Sequence, residues 1–600
     1  MCRPRHRRWL PLLFFALVAC GKSGGDPTDA TVVPVTDSVV QDGGSETLQF
    51  DAKAADVAKT GDAAAGDVPA SPDLGPNTAS KVSRAFGQDV VSAELVSEEA
   101  GLRTYILRTS HGLRCGPDNK QRQFSEPNDR PRLRSGNLLF DALYALAVHE
   151  AGQLSVDVIT DGGFNEGKPV ACHCFQTGEK WPWAWTRDTA YAMDLALATL
   201  DPLRARDTLL SRLSALKLGK SGPAPQVVQD TGTGGSWPVS SDRVIWALGA
   251  RAVWRQLEGA ERESFATVVK AALQATHAAD MAAVFDATTG LYRGEQSFLD
   301  WREQSYPKWT SDRPADIAMS QALSTNIGHL LARELRRTLS GEAGDESALR
   351  QTIHSAFYLQ QRHLYSALRT TGLDLAPAER FDLLGNALAV LHGIADDNTA
   401  ADLVAHYPIV AAGPPVQWPQ QQFVPIYHNR AQWPFVTAYW LQAAAQVRNA
   451  AVADNAFDAL IRGAALNLSN MENFEFLSGA NNVDDGVWSG PVVNSCRQLW
   501  SVAGYLAAVH KVLFGMQPGD DGIALRPFVT RAMRQDWLKD SSQIQLLGVG
   551  FRGRHFDVTL ALPKISPPGW GALGVANHIV NGGSVPKGVV AAAALAENNT

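Results

Sequence analysis

Cysteine is scarce in this sequence, and the cysteines present lack the spacing of a structural metal site. Six occur in 600 residues. Cys172 and Cys174 flank a histidine, but the usual gap of roughly two to four residues and a matching second half are both missing. No Walker loop is present, and His149-Glu150 is not followed by the second histidine of an HExxH zinc motif. The sequence therefore indicates neither a metal ion nor any other cofactor.

The sequence also lacks an excess of positive charge. Its 54 Lys and Arg residues are outnumbered by 61 Asp and Glu residues, which gives a formal net charge of -7. A nucleic-acid-binding protein needs clustered positive charge to neutralise phosphates, so we exclude nucleic acid as a partner. The length and the 45% hydrophobic content suffice for a large core. We expect a monomer.

No apolar run is long enough to span a bilayer as a stable helix. The run from Trp9 to Ala19 follows a cluster of arginines and is typical of a cleaved signal peptide. It ends in Leu-Val-Ala-Cys20, which resembles the lipobox of bacterial lipoproteins. The resemblance implies that residues 1–20 are a leader, that Cys20 is lipidated, and that the chain is anchored at a bacterial outer membrane or cell surface. An ordinary signal peptide with a chance cysteine is the alternative.

Aromatic residues are almost absent from residues 21–80, where Phe50 is the exception. Such an acidic, Ala-rich composition cannot bury enough apolar area to offset the loss of chain entropy on folding. We expect a disordered tether between the lipid anchor and the folded part. Four cysteines of the mature chain can form disulfides in an oxidising compartment, in any of three connectivities: Cys115, Cys172, Cys174 and Cys496.

Hydrophobic periodicity divides the rest of the chain into three regions. Residues 81–135 alternate weakly between apolar and polar, which predicts a small N-terminal β region. Residues 136–515 carry apolar residues at helical spacing in about twelve segments, one of them over 345–370, and no strand pattern interrupts them. Residues 520–600 alternate again on both sides of a turn near Gly553, which predicts a C-terminal β element followed by a tail.

About twelve consecutive helices are what a ring of six helical hairpins requires. An α-solenoid would show a repeat of fixed period, and the sequence shows none. The predicted fold class is therefore mainly α, an (α/α)6 barrel with small β elements at both ends. The packed sides of such helices cannot supply reacting groups, so we expect loops at one mouth of the ring to carry the site.

The densest cluster of aromatic and charged residues is Trp-Pro-Trp-Ala-Trp-Thr-Arg-Asp-Thr-Ala over residues 181–190, at the start of an amphipathic helix. Trp183 and Trp185 offer flat apolar rings on which a pyranose can stack. Arg187 and Asp188 can hold two neighbouring sugar hydroxyls. The alternative is a structural ion pair among core aromatics.

Three later segments extend this pattern: 235–243 with Trp237 and Asp242, 427–434 (Tyr-His-Asn-Arg-Ala-Gln-Trp-Pro) with His428 and Trp433, and 494–501 (Asn-Ser-Cys-Arg-Gln-Leu-Trp-Ser). Together the four segments resemble loops of the six-hairpin glycosidases, which include glucoamylases, glycogen-debranching amylo-1,6-glucosidases and α-rhamnosidase-like enzymes. The resemblance implies that Arg187 and Asp188 bind the sugar at the scissile bond. In this loop Arg430 replaces the glycine usual in those families.

Glycoside hydrolysis requires two carboxyl groups, one protonated and one ionised. The loop 290–303 is dense in acids and aromatics and lies where the resembled families place their general acid. Asp300 and Glu303 are the candidates, and Trp301 could raise a carboxyl pKa by excluding water. Glu295 is a weaker candidate.

The second carboxyl candidate lies in Met-Glu-Asn-Phe-Glu-Phe over residues 471–476. This segment resembles the loop that carries the general base in α-glucosidases and debranching enzymes. Glu472 matches best, and Glu475 is the second choice. Trp488 follows in a polar loop that could bind sugar hydroxyls, and the spacing of its acids does not fit an EF-hand.

The resemblance implies an inverting glycosidase that removes terminal sugars from oligosaccharides or glycosides, with an α-glucoside favoured and an α-rhamnoside next. Acid and base would then lie about 6.5–9.5 Å apart. Two alternatives stay open. A sugar epimerase or lyase on the same barrel would need Tyr427 or His428 to carry the proton. A catalytically inactive, surface-anchored glycan binder would fit the tryptophans and the anchor as well.

Overall fold

The computed structural model describes residues 80–595 apart from a set of short stretches. These stretches are 163–164, 214–226, 228–239, 300–304, 307–309, 311–312, 371–372, 423, 425, 482–493, 565–566, 568–570, 582 and 586–587. The predicted leader with Cys20, and the predicted tether up to residue 79, lie outside the described residues.

The region after residue 137 alternates between two sets of helices. The odd-numbered set is α1 (Leu138–Gln153), α3 (Pro202–Ser211), α5 (Gly259–Ala283), α7 (Ser347–Phe357), α9 (Asp397–His406) and α11 (Ala450–Asn467). The even-numbered set is α2 (Thr186–Ala192, continued by Met193–Leu197 and Ala198–Leu200), α4 (Asp242–Gln256), α6 (Leu323–Ser340), α8 (Leu383–Leu391), α10 (Pro434–Gln446) and α12 (Leu499–Ala507, continued by Ala508–Leu513). Shorter helical segments are Pro314–Ala318 and Met533–Trp537.

Short polar side chains determine where several of these helices begin. The side chain of Asn137 accepts a hydrogen bond from the backbone N–H of Leu139 in α1, at 3.1 Å. Asp382 accepts in the same way at the start of α8, and Asn449 at the start of α11. Each bond satisfies a backbone N–H that has no partner within its helix.

The even-numbered helices contact one another in series from α2 to α12, and α12 in turn contacts α2. Glycines permit close approach between them. A Cβ added to Gly249 of α4 would lie 2.9 Å from the Cα of Ala190 in α2, and one added to Gly504 of α12 would lie 3.2 Å from the Cα of Phe435 in α10. The odd-numbered helices pack against this set, as α11 does on α10.

The first turns of the even-numbered helices lie close together. Arg187 in α2 donates to the backbone oxygen of Ser297 at 2.9 Å, and the Ser297 N–H donates to the hydroxyl of Ser324 in α6 at 3.1 Å. The rings of Phe435 in α10 and Trp500 in α12 stack with centroids 4.0 Å apart. The loops that lead into these helices therefore converge at one end of the set.

The expectation that no strands lie between the helices was wrong. Two-residue strands end within one residue of the start of three even-numbered helices: Gln321–Ala322 pairs with Leu368–Arg369, Phe381–Asp382 with Gln417–Trp418, and Ala431–Gln432 with Phe474–Glu475. Two further pairs are Phe285–Asp286 with Leu291–Tyr292 and Tyr358–Leu359 with Leu364–Tyr365. Accordingly the helix expected over 345–370 ends at Phe357. A two-residue strand has no period, so the sequence pattern could not reveal it.

Antiparallel sheets lie before and after the helices. Lys81–Phe86, Asp89–Glu99, Leu102–Thr109 and Gln121–Ser125 form a four-stranded sheet in chain order. The longer pair of Ser155–Ile159 with Val170–Phe175 lies between α1 and α2 and is a further strand pair among the helices that was not expected. Gln543–Phe551 and Arg554–Ala561 form a hairpin that turns at Arg552-Gly553 and also pairs with Arg132–Arg134. Met516–Pro518, Gly522–Leu525 and Val589–Ala591 form a third sheet, and His578–Val580 pairs with Gly583–Val585. The turn expected near Gly553 is confirmed.

Two disulfides resolve the cysteine pairing that the sequence left open. Cys115 pairs with Cys496 across 381 residues, with Cα atoms 5.7 Å apart. Cys172 pairs with Cys174 within one strand, with Cα atoms 5.1 Å apart. The first bond therefore joins the loop after Leu102–Thr109 to the segment that leads into α12.

We expect the two disulfides to differ in their contribution to stability. A cross-link restricts the unfolded chain more when it closes a longer loop, so replacing Cys115 and Cys496 by serine should lower the free energy of unfolding by about 2–5 kcal/mol. The matched replacement of Cys172 and Cys174 should cost less, because that bond closes a very short loop. Calorimetry of the two double variants measures the difference. A greater loss for the Cys172–Cys174 pair would contradict this account.

Candidate active site

Glu472 is the central acidic residue of the described site. Its side chain is buried, with 2% of its surface exposed. One carboxylate oxygen, Oε2, accepts a hydrogen bond from the backbone N–H of Ser495 at 2.6 Å and a longer one from Trp181 Nε1 at 3.4 Å. The other, Oε1, accepts from the Tyr427 hydroxyl at 3.0 Å. Three different loops thus hold one carboxyl group in a fixed orientation.

Burial raises the pKa of Glu472 from 4.5 to about 7. The hydrogen bonds from Ser495, Tyr427 and Trp181 and the positive charge of Lys180 oppose this increase, because they stabilise the ionised form. The removal of water from the carboxylate is the larger effect. A carboxyl group with this pKa can exchange a proton near neutral pH, which is a property of acid–base catalysts.

Glu475, the second choice in the same loop, has a different environment. Its Oε2 accepts hydrogen bonds from the backbone N–H groups of Leu477 and Ser478, at 3.0 and 2.8 Å, and from the Ser478 hydroxyl at 2.7 Å. These donors belong to the turn that follows Glu475 itself. The contacts favour a role in shaping that turn and distinguish Glu475 from Glu472.

Three tryptophans lie side by side next to Glu472. The ring centroids of Trp181 and Trp185 are 5.3 Å apart, and those of Trp183 and Trp185 are 5.2 Å apart. All three rings are half-buried, so part of each remains open to solvent. Rings arranged in this way can cover the apolar face of a sugar, which is the role that the sequence analysis predicted for Trp183 and Trp185.

Arg187 and Asp188 lie in the first turn of α2, and both are buried. Arg187 donates to the backbone oxygen of Ser297, in the loop that precedes residue 300. The next turn of the same helix also contacts this loop, since the Tyr191 hydroxyl and the Ser297 hydroxyl lie 2.6 Å apart. Asp242 is buried in the first turn of α4, which packs against α2.

His428 and Trp433 belong to a buried aromatic cluster. The His428 ring lies 4.8 Å from Tyr427, 5.1 Å from Trp433 and 5.4 Å from Phe298. Trp433 is only 1% exposed and donates through Nε1 to the backbone oxygen of Tyr427 at 2.9 Å. Trp433 therefore supports the Tyr427 loop, and its predicted contact with substrate stays a prediction.

Phe298 and Ser305 both contact the loop that donates a hydrogen bond to Glu472. Phe298 packs against His428, and the Ser305 hydroxyl is hydrogen-bonded to His428 Nδ1 at 3.0 Å. The neighbouring Tyr427 binds Glu472. Several predicted site residues lie outside the described residues, namely Trp237, Asp300, Trp301, Glu303 and Trp488. Phe298 and Ser305, which lie on either side of Asp300 and Glu303 in the sequence, therefore both contact the Tyr427–His428 loop.

Sequence reasoning missed three residues that contact Glu472. The sequence pattern predicts no separate role for Trp181 or Ser495, and it connects Tyr427 only with the epimerase or lyase alternative. Their position within the four family-like segments was the available signal. Nothing in the sequence indicated that the Ser495 backbone N–H, rather than a side chain, would bind the carboxylate.

Within the described residues, no group of three or more His, Cys, Asp or Glu side chains is arranged to bind a metal ion. No helix in that part of the chain is long and apolar enough to cross a bilayer. Glu150, from the incomplete HExxH match, is fully buried and accepts from Arg122 at 2.6 Å and from the Asn470 N–H at 2.9 Å. It therefore connects α1 to the loop that carries Glu472.

No protein-family model matches this chain, and no curated protein sequence matches it. Its fold is similar to that of solved glycoside hydrolases. A mannosylglycerate hydrolase of family GH63 from Thermus thermophilus has 14% identity and a TM-score of 0.44, over 61% of this chain and 100% of that one. A GH78 rhamnosidase from a Bacillus species has 13% identity and a TM-score of 0.45, over 78% of this chain and 50% of that one. A sialidase has 12% identity and a TM-score of 0.50, over 72% of this chain and 38% of that one.

The raised pKa of Glu472 predicts a stability effect that depends on pH. A buried carboxyl whose folded pKa exceeds its unfolded value destabilises the native state increasingly as pH rises from about 4.5 to about 7. Glu472→Gln removes the charge, and its amide fits the site because the Tyr427 hydroxyl can rotate to accept a hydrogen bond. We expect the variant to be more stable than the wild type above pH ~8, by on the order of 3 kcal/mol. Below pH ~4 the two should be equal. Calorimetry of both proteins between pH ~4 and pH ~8 tests this prediction. A difference in the free energy of unfolding that does not change with pH would refute it.

Proposed function

We propose that this protein is a glycoside hydrolase that removes terminal sugars from oligosaccharides or glycosides by an inverting acid–base mechanism. The observation that carries the proposal is the environment of Glu472, a buried carboxyl held by three donors beside a row of half-buried tryptophans. That combination can activate a water molecule next to a stacked sugar. The glycoside-hydrolase-like fold is consistent with it.

The proposal includes an (α/α)6 barrel, with the even-numbered helices as the inner layer and the odd-numbered ones as the outer layer. The serial contacts from α2 to α12, and from α12 to α2, support this arrangement. Each sequential pair of helices then forms one of six hairpins. The site lies where loops at one end of the inner helices meet, as expected for a scaffold whose packed sides are occupied.

In the proposed reaction, Glu472 is the general base. Its carboxylate takes a proton from water while the water oxygen bonds to the anomeric carbon. A general acid donates a proton to the glycosidic oxygen as its bond to that carbon breaks. The hydrogen bonds from Tyr427 and Ser495 hold the carboxylate in place, and the pKa near 7 makes it a stronger base than a solvated glutamate.

We assign the general acid to Asp300 or Glu303. The support comes from the flanking residues Phe298 and Ser305, which both contact His428 beside the Tyr427–Glu472 hydrogen bond. The separation appropriate to inversion is about 6.5–9.5 Å, because a water molecule must fit between base and sugar.

Substrate binding is assigned to the tryptophan row and to Arg187 and Asp188. The tryptophans supply apolar faces, and the charged pair supplies hydrogen bonds to sugar hydroxyls. The resemblance of the motifs to six-hairpin enzymes favours an α-glucoside, with an α-rhamnoside next. An epimerase or lyase is less compatible, because the hydroxyl of Tyr427 is engaged by Glu472 and His428 is buried in an aromatic cluster.

Replacement of Glu472 tests the assignment of the base. Glu472→Gln should reduce kcat for an aryl glycoside by at least about a hundredfold, because the variant cannot accept the proton from water. Glu475→Gln, in the same loop, is the comparison and should retain most activity if the fold is intact. Steady-state kinetics on a panel of aryl α- and β-glycosides provides the measurement. Equal losses in the two variants would argue against Glu472.

The stereochemistry of the product tests the mechanism independently. An inverting reaction on an α-glycoside releases the β-anomer first. Proton NMR recorded within minutes of mixing distinguishes the two anomers before they equilibrate. Initial release of the α-anomer would indicate retention, and an unsaturated product would indicate a lyase.

We also propose that Cys20 carries lipid and anchors the enzyme at the bacterial envelope. The Leu-Val-Ala-Cys sequence and the acidic segment after it support this. Cys20→Ser should move the protein from the membrane fraction to the soluble fraction of cells that express the full chain. Unchanged membrane association would contradict the anchor without bearing on the activity.

A further inference from the structure

The N-terminal sheet contributes a loop that reaches the candidate active site. The loop lies between the strands Leu102–Thr109 and Gln121–Ser125. Its Gly112 backbone oxygen accepts a hydrogen bond from the Asn481 side chain at 3.1 Å, and Arg114 donates to the Asn481 backbone oxygen at 3.4 Å. Asn481 follows the loop that carries Glu472, so the sheet contacts the segment next to that loop.

A covalent bond fixes this contact. Cys115 is bonded to Cys496, and Cys496 directly follows Ser495, whose backbone N–H donates to Glu472 at 2.6 Å. The next residue on the other side of the bond is Arg114. The disulfide therefore links the residue next to Arg114 to the residue next to Ser495, which orients the proposed base.

Arg114 has few partners for a partly buried charge. Its hydrogen bond to Asn481 is long, and it forms no ion pair among the residues that the structure describes. Burial lowers its pKa, and the negative charge of Glu472 opposes this decrease. A guanidinium group removed from water is costly unless oxygen acceptors replace the lost solvent. A bound substrate would supply such acceptors.

We propose that the loop around Arg114 forms one wall of the substrate site, that Arg114 binds oxygen atoms of the substrate beside Glu472, and that the Cys115–Cys496 bond holds this wall in place. The inference rests on the proposed hydrolase function and adds a binding residue to it. The oxygen atoms belong either to a carboxylate on the substrate or to neighbouring hydroxyls. Both present acceptors to the planar guanidinium, and the two sources can be separated experimentally.

The first test compares Arg114→Met and Arg114→Lys with the wild type on the best aryl glycoside. We expect Arg114→Met to lower kcat/KM by about tenfold or more, mainly through KM, and Arg114→Lys to recover part of the loss. Arg108→Met is the control, because Arg108 lies on the same sheet and pairs with Glu94 at 2.6 Å. Activity of Arg114→Met within about twofold of the wild type would overturn the inference.

A matched pair of substrates identifies the oxygen atoms. A glycoside that carries a carboxylate and its neutral analogue are compared in the wild type and in Arg114→Met. A loss about tenfold larger for the charged substrate assigns the contact to a carboxylate, and equal losses assign it to hydroxyls. An equal loss in the Arg108→Met control would overturn the inference, because the effect would then not be specific to Arg114.

The second test addresses the disulfide. Serine at both Cys115 and Cys496 should raise KM in the same direction as Arg114→Met, whereas serine at both Cys172 and Cys174 should leave KM unchanged. Circular dichroism confirms that each variant is folded before kinetics are measured. Unchanged KM in a folded Cys115/Cys496 variant would overturn the role of the bond. A wild type without activity on any glycoside would instead contradict the proposed function itself.

Discussion

The burial of one carboxyl group governs the organisation of this site. Glu472 loses its water, and only the donors from three separate loops make that loss tolerable. Each of these loops must therefore be held accurately. The Trp181 loop continues into α2, the Ser495 segment leads into α12, and Tyr427 precedes α10. By fixing these three helices, the hydrophobic core keeps the donors from Trp181, Ser495 and Tyr427 in position around Glu472.

The burial of Glu472 lowers the stability of the fold when the carboxyl group is ionised. A carboxyl whose pKa is raised to about 7 is less stable ionised than it would be in water. The raised pKa also makes this carboxylate a better proton acceptor near neutral pH. Functional sites often show such a loss of stability alongside a gain in reactivity. The buried pair of Glu150 and Arg122 and the Cys115–Cys496 bond lie around the same loops. The ion pair and the disulfide stabilise the loops that surround Glu472.

Some of these features could be predicted from the sequence, and others could not, for physical reasons. Periodicity indicated the long helices, because a buried helical face leaves a pattern over several turns. Two-residue strands such as Ala431–Gln432 leave none, and these strands place Glu475 and the Tyr427 loop. Motifs drew attention to Glu472, but its partners include the backbone N–H of Ser495, which any residue type would supply. The exposure of Trp183 and the burial of Trp433 could not be told apart, since both are tryptophans beside helix starts.

The pH dependence of catalysis tests the central claim most directly. If Glu472 is the base, kcat/KM must fall as pH decreases through about 7, because protonation removes the acceptor. The residual activity of Glu472→Gln should lack this transition. A wild-type profile that stays level well below pH 7, or an unchanged transition in the variant, would contradict the assignment of Glu472 as the group that activates water.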